Sequence, residues 1–443
     1  MKKLLSVVLA LLMLAVMLPV TAMAADGYVT VFGIKGFENR QFASFAEAYA
    51  AIKPTVATLG LGQETPANAE AFDAVFTDVT DGKATLTYTI SGNVTYDEFS
   101  CENLLTMGRK SSHYLTNERH LINFKFVGAK GRDSDTLTVN SEMTLPYEWW
   151  SEKTTTSISF ENLTITGSAP NGLRPTQDYF EGINFKVNNC KLEGIKIYNC
   201  SNVGGSYTIT NNIFDGTNAP KNAYAIHLQG NETAPLTINI SNNTISGYDR
   251  GINIDQKTAA ATISNNNISV KDTGRSCIQL TRLASTKVEN NTMNLTGGNA
   301  ITLHEELLNC AKPVITVSGN TINGTGYLIY DDATANNKSF TNDNLTLTIT
   351  EDNTVAKTVD ITQGVKGSTK YGMSEIVKTK VENNVVPGGS TGGTIVIVPD
   401  RTEDTPKTEP EKNPTTGAND VVAAAVALMA VSALGAAVLT RKK

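Results

Sequence analysis

Aromatic residues make up only 7% of this 443-residue chain, and tryptophan occurs twice. With Thr, Asn and Gly abundant, that scarcity suits thin β-structure better than helix. Away from its two ends the chain has no run of clustered Lys and Arg, and the formal net charge is −6. Nucleic acid and anionic lipid both need clustered cations, so neither is an expected partner. Five cysteines (Cys101, Cys190, Cys200, Cys277 and Cys310) are irregularly spaced. They form neither a paired disulfide framework nor a CxxC metal pattern. Buried free thiols are expected, with a Cys190–Cys200 bridge as the alternative to be tested. His113 and His120 lack metal-ligand spacing and read as loop residues. No metal site is predicted.

The two ends are distinctive. Lys2 and Lys3 precede an apolar run from Leu4 to Val20, closed by Ala22-Met23-Ala24 and then Asp26. Basic start, apolar core and small residues at the cut describe a secretory signal peptide; a retained anchor is the rival reading. At the other end, Asn413, Pro414, Thr415, Thr416 and Gly417 precede an uncharged stretch from Val421 to Leu439 and then Arg441-Lys442-Lys443. About 19 apolar residues can span a bilayer, and the basic tail holds the C-terminus inside. Removing both ends would leave the mature chain more acidic still. Between Pro387 and Lys412, PGGSTGG and TPKTEPEK mark a linker.

The order of motif, apolar span and basic tail resembles the cell-wall sorting signal of Gram-positive surface proteins. The resemblance implies that a sortase cysteine attacks the Thr416 carbonyl, releases Gly417 onward and passes the acyl group to a peptidoglycan amine. Asn413 stands where the commonest pattern, LPxTG, has Leu, which leaves the class of sortase open. A simple single-span anchor is the alternative. The expected location is secreted and wall-anchored on a Gram-positive surface, with the membrane touched only through the C-terminal precursor segment.

The middle is repetitive. ITNNIFDG, ISNNTISG, ISNNNISV, VENNTMNL and VSGNTING begin at Ile209, Ile240, Ile263, Val288 and Val317, with FKVNNCKLEG at Phe185 as an earlier copy and ITEDNTV at Ile349 as a decayed later one. Each clear copy is followed by a second apolar unit: AIHL at Ala225, GINI at Gly251, CIQL at Cys277, AITL at Ala300 and YLIY at Tyr327. At the second Asn position (212, 243, 266, 291, 320) the period is 31, 23, 25 and 29 residues, a constant core with variable turns. Such short strands cannot bury themselves alone, but stacked on identical neighbours they form Ile, Val and Leu ladders. Asn at the turn tolerates left-handed backbone and can pair with the Asn of the next coil. No Leu-rich consensus and no helix recurs, which excludes leucine-rich repeats.

At this point the chain resembles the right-handed parallel β-helix proteins of the pectate-lyase-like group, well over 184–352 and loosely over 86–166. The expected class is all-β: a parallel β-helix solenoid with a short N-terminal capping helix. Ser44-Phe45-Ala46-Glu47 has capping-box spacing and opens a helix to Ile52, with Phe45, Ala48, Tyr49 and Ile52 on one side. The expected organisation is a signal peptide over 1–24, a cap region over 25–83, the β-helix over 84–386, the linker over 387–412, the sorting motif over 413–417, and a membrane segment with basic tail over 418–443.

The resemblance admits polysaccharide lyases and glycosidases, so a site must be sought residue by residue. No NTD, GHG and RIK set is present, nor a calcium-binding Asp cluster followed by an arginine base; Ca²⁺ enters only if the protein is a lyase. Alternation predicts one outward face carrying His227 and Gln229, Asn253 and Asp255, Gln279 and Thr281, Thr302 and His304, and Ile329 and Asp331. Asp255, His304 and Asp331 are the candidate acid–base groups, against the alternative of a merely solvated face. Arg250, Arg275 and Arg282 border it, to meet an acidic sugar or to balance Asp and Glu. His227 and Arg250 are candidate ligand contacts, as are Tyr147, Trp149 and Trp150 in an insertion, whose rings either stack on sugar or pack under the loop.

Three functions remain open: a monomeric surface module that binds polysaccharide or host glycan, a wall-anchored lyase or glycosidase, and a structural spacer. Whether any catalysis occurs is undecided by the sequence.

Overall fold

A computed structural model describes residues 27–57, 73–77, 79–80, 83–96, 121–141, 157–169, 172–174, 183–200, 205–230, 235–271, 275–336, 338–350, 352–356, 358–360, 377 and 396–398. The expected signal peptide, the sorting motif with its apolar span, Cys101, His113, His120, Tyr147, Trp149 and Trp150 lie outside them. Among the described residues no helix is long and apolar enough to cross a membrane.

The chain winds as a parallel β-solenoid with three short strands per coil. One coil, Leu236–Ser241, Thr244–Tyr248 and Arg250–Asp255, pairs strand for strand with the next, Ala259–Ser264, Asn267–Val270 and Ser276–Arg282. Register is held by burial, because a one-residue slip would turn every inward side chain to solvent. Ile240, Ile263, Val288, Val317 and Ile349 therefore stack in line across successive coils. All five are buried. Each such side chain contributes about 1.5–3 kcal/mol of apolar burial, available only because the neighbouring coil supplies the other wall.

The paired asparagines divide two tasks between them. The first of each pair takes the left-handed turn, with φ of 60° at Asn211, 57° at Asn242, 55° at Asn265 and 55° at Asn290; Gly319 replaces it with φ 63°. The second points inward. Asn212, Asn243, Asn266, Asn291 and Asn320 each donate from Nδ2 to Oδ1 of the next, ending at Asn353, over 2.9–3.0 Å. Each Nδ2 also reaches a main-chain carbonyl of the previous coil, as Asn266 does to Ile240 O at 2.9 Å. The next Oδ1 accepts the backbone N–H too, so a fully buried amide is satisfied on both sides. Cys190 occupies the same position one coil earlier, its N–H donating to Asn212 Oδ1 at 2.8 Å. Cys190, Cys277 and Cys310 are free thiols, so Cys190 forms no bridge; the Cys200 side chain lies outside the described residues.

The first coils are built differently. Strand Lys83–Tyr96 pairs in parallel with Leu121–Gly128 and with Thr136–Val139. Its other edge is covered antiparallel by Gly27–Phe32. Inside, Tyr88 stacks on Phe126 and Phe126 on Phe160, with ring centroids 5.4 and 5.0 Å apart. Helix α1, Phe45–Ala57, starts where the capping spacing predicts and continues past Ile52 through Pro54. Ser44 Oγ accepts from Glu47 N at 3.1 Å, and Glu47 Oε2 accepts from Ala43 N at 3.0 Å. Phe45, Ala48 and Ile52 are buried, and the Phe45 ring meets Tyr88 and Tyr96 edge-on. At the far end Val396–Val398 adds a parallel strand to Thr354–Ala356, inside the stretch read as linker. Its run of β-branched residues after the glycines favours a strand.

Candidate functional site

One outer face carries the polar side chains. Strands Ile197–Cys200, Tyr224–Gln229, Arg250–Asp255 and Ser276–Arg282, with the ends of Thr292–Leu303 and Thr321–Asp331, lie side by side on it. The register places Tyr198, His227, Asn253, Gln279, Thr302 and Tyr330 in one row along the solenoid. This corrects the predicted alternation at its last rung. Ile329 aligns with Ile301 and points inward, so Tyr330 faces out and Asp331, opposite Leu303, is fully buried. Thr281 is displaced by a bulge after Leu280; it is buried and donates to Asn253 Oδ1 at 2.8 Å.

A cleft of about 460 Å³ opens on this face, walled by Tyr224, Tyr327 and Tyr330, by Arg250 and Arg275, and by His304 with Asp332. Gln279, Asn299 and Thr302 line it as well. Next to the lining residue Gly297 the coils meet on bare backbone: a Cβ on Gly298 would sit 2.0 Å from Arg275 O, and one on Gly326 2.0 Å from Gly298 O. Any larger residue there would force the coils apart. The wall is also pre-organised, since Arg250 Nη1 donates to Tyr224 OH at 2.9 Å and Tyr224 OH donates to Gln279 Oε1 at 3.0 Å.

The three candidate acid–base groups do not converge. Asp255 is joined to Arg282 Nε, and Arg282 in turn lies 3.4 Å from Glu306. Asp331 is enclosed in the sheet. His304 does line the cleft, where it begins the short 3-10 helix Glu305–Asn309: Nδ1 accepts from Glu306 N at 3.2 Å and Nε2 stands 3.5 Å from Asp332 Oδ2. The carboxylate beside the histidine is thus Asp332. His227 is wedged between the Tyr198 and Tyr224 rings, centroids 5.2 and 4.8 Å away. Burial pushes its imidazole down to about 4, against the pull of Asp255 and with the help of Lys196 and Arg250. It is neutral at ordinary pH and serves as a flat, uncharged ring.

Among the described residues no group of three or more His, Cys, Asp or Glu side chains converges to hold a metal ion. The described residues do not offer the carboxylate cluster that the Ca²⁺ site of a lyase reading implies.

Fold and face together define a parallel β-helix with a polar, tyrosine-walled cleft. Residues 193–372 match the family model described as right handed beta helix region. No curated protein and no solved structure matches the chain.

Tyr224, Tyr327 and Tyr330 are among the cleft residues that sequence reading missed, with Asn299 and Asp332. The signal was present in YLIY, whose two tyrosines flank an inward Leu-Ile pair; aligning Ile329 with the Ile column at 252, 278 and 301 exposes them.

Proposed function

We propose that the protein is a secreted, wall-anchored surface module that binds polysaccharide, with the tyrosine-walled cleft as its binding site. The observation that carries this reading is the cleft's mixture of aromatic rings with fixed polar groups: Tyr224, Tyr327 and Tyr330 beside Arg250, Gln279, Asn299 and Thr302. Sugar rings present an apolar face to an aromatic ring and hydroxyls to amides and guanidinium groups. The sorting motif at Asn413–Gly417 supports attachment to peptidoglycan by a sortase. Helix α1 supports closure of the first coil against edge pairing, since its Phe45 reaches the interior rings.

The test is retention of a polysaccharide panel on the purified protein, with chain length followed in the same samples. Retention without shortening, lost at least tenfold in Tyr330→Ala and in Gln279→Ala, is the expected result. A second reading rests on His304 and Asp332, an imidazole and a carboxylate 3.5 Å apart on the cleft wall. Shortening that vanishes in His304→Ala would make the protein an enzyme and displace the binding-only reading.

A further inference from the structure

The two ends of the solenoid are closed by unequal means. At the first coil, Gly27–Phe32 lies antiparallel along Lys83–Tyr96 through six residue pairs, and the Phe45 ring of helix α1 covers the interior beside it. At the last coil, Val396–Val398 lies parallel on Thr354–Ala356 through three pairs. Pro399 follows at once, and a residue without an N–H ends the pairing. Val377 is the one other described residue between Asp360 and Val396, and it is fully buried in the common core.

Load falls on the weaker end. In a wall-anchored protein the tether runs from Pro399 to Thr416, so every pull between wall and cleft enters the fold through Val396–Val398. Behind that strand the last coil is tied more firmly. Asn353 Oδ1 accepts from Asn320 N at 3.0 Å and from Asn320 Nδ2 at 2.9 Å, Thr354 N donates to Asn320 O at 2.7 Å, and Thr346–Ile349 pairs along its whole length with Val314–Ser318. Forced opening follows the fastest unfolding step, and three rungs at a sheet edge open before a buried amide ladder does.

We propose that the C-terminal end is a tether with two catches: Val396–Val398 is the first and Val377 the second, and tension releases them in that order while the solenoid and its cleft stay folded. This rests on the wall-anchoring reading and adds to it a response to load. The chain lengths set the travel. Extended at about 3.3–3.6 Å per residue, residues 399–416 span ~60 Å, freeing 378–398 adds ~70 Å, and freeing 361–377 adds ~60 Å more, so reach from the wall roughly triples. Redocking of the strand on relaxation draws the cleft back.

The experiment is single-molecule force spectroscopy on the form the wall would hold, Asp26 to Thr416, pulled at its two ends. Two low-force steps, ~70 Å and then ~60 Å, are expected before any coil is lost, the first reversing on relaxation. Val396→Pro with Ile397→Pro removes a ladder N–H whichever way the strand alternates, and should abolish the ~70 Å step while leaving the ~60 Å step. Val377→Asp removes the second catch, so that the first release should run on as a single step of ~130 Å. Far-UV circular dichroism matching the wild type shows that the solenoid of each variant is intact. Loss of whole coils as the first event overturns the proposal, as does a ~70 Å step that survives the double proline. Anchoring is checked separately, by release of the protein from cells with muramidase and its escape to the medium in Thr416→Ala. A chain missing from the wall fraction sinks the anchoring reading whatever the force trace shows.

Discussion

Two stretches of one solenoid hold their coils together by different means. In the early coils the interior is a pile of rings, Tyr88, Phe126, Phe160, Phe185 and Tyr207, each in contact with the next. From Ile238 onward the same interior column turns to Ala261, Thr286 and Ile315, and the Asn ladder begins at Asn212. The change falls at one place. Ring stacking fixes spacing through shape and tolerates coils of different outline, as in 83–188. Amide bonding fixes spacing through direction and demands that every coil present the same atom at the same point. The early turns satisfy their backbone differently: buried Asp135 accepts from Gly92 and Gly131 as well as from Lys130.

The contrast can be broken at either end. Phe126→Ala removes the ring that touches Phe45, Tyr88, Tyr96 and Phe160, and should cost about 3–5 kcal/mol in urea unfolding. Loss under 1 kcal/mol would mean that stacking does not hold the early coils. Asn266→Ala strips the acceptor from Asn243 and the donor from Ile240 O, leaving several buried polar groups bare. With about 1–3 kcal/mol for each such group, the expected cost is about 3 kcal/mol or more. Hydrogen exchange should localise that damage to the coils on either side, as nearest-neighbour stacking requires.

Cys190 stands at the boundary, and Cys190→Asn would extend the ladder by one coil. The midpoint of unfolding should rise, by about 1 kcal/mol of stability, and a fall would show that the ring-filled interior cannot take the amide. In the native protein burial pushes the thiols of Cys190 and Cys277 up to about 12, so both should resist alkylation at pH 8 while half-buried Cys310 reacts before either. The smallest effect concerns the outer face of the ladder coils. Folding depresses the His227 pKa from 6.5 to about 4, so its contribution to stability is complete above 6.5 and is lost as pH falls toward 4. Wild type should lose more stability than His227→Gln over that window; parallel curves would remove the histidine from the account.

The ladder coils were legible because their pattern is local. Alternating Ile and Val, two Asn at the turn and a constant core of spacing are all written within a few residues, and the structure places each as the spacing predicts. The aromatic pile was not, because Phe126, Phe160 and Phe185 meet only after stretches of unequal length. Low aromatic content pointed away from a ring-filled core, yet the few rings are gathered in one place. At the site the alignment of His227, Asn253, Gln279 and Thr302 follows the predicted alternation, but Asn253 and Thr302 are buried, a bulge displaces Thr281, and the last rung fails by a single residue at Ile329. A four-letter unit such as YLIY alternates equally well in two registers; only the neighbouring Ile column chooses between them. The pairing of Asp255 with Arg282 depended on a bulge that no spacing rule announces.

The amide ladder also gives the solenoid a sense of travel. Every link from Asn212 to Asn353 runs one way, donor in the earlier coil and acceptor in the later, so six small dipoles point along the axis without a reversal. The first ladder amide shows its oxygen to Cys190 N, and the last spends its hydrogens on Val317 O and Thr350 O. A coil copied into the middle finds both complementary groups waiting for it, whereas a coil set in backwards would bring oxygen against oxygen. Such a molecule can lengthen or shorten by whole turns, and its polarity survives every change.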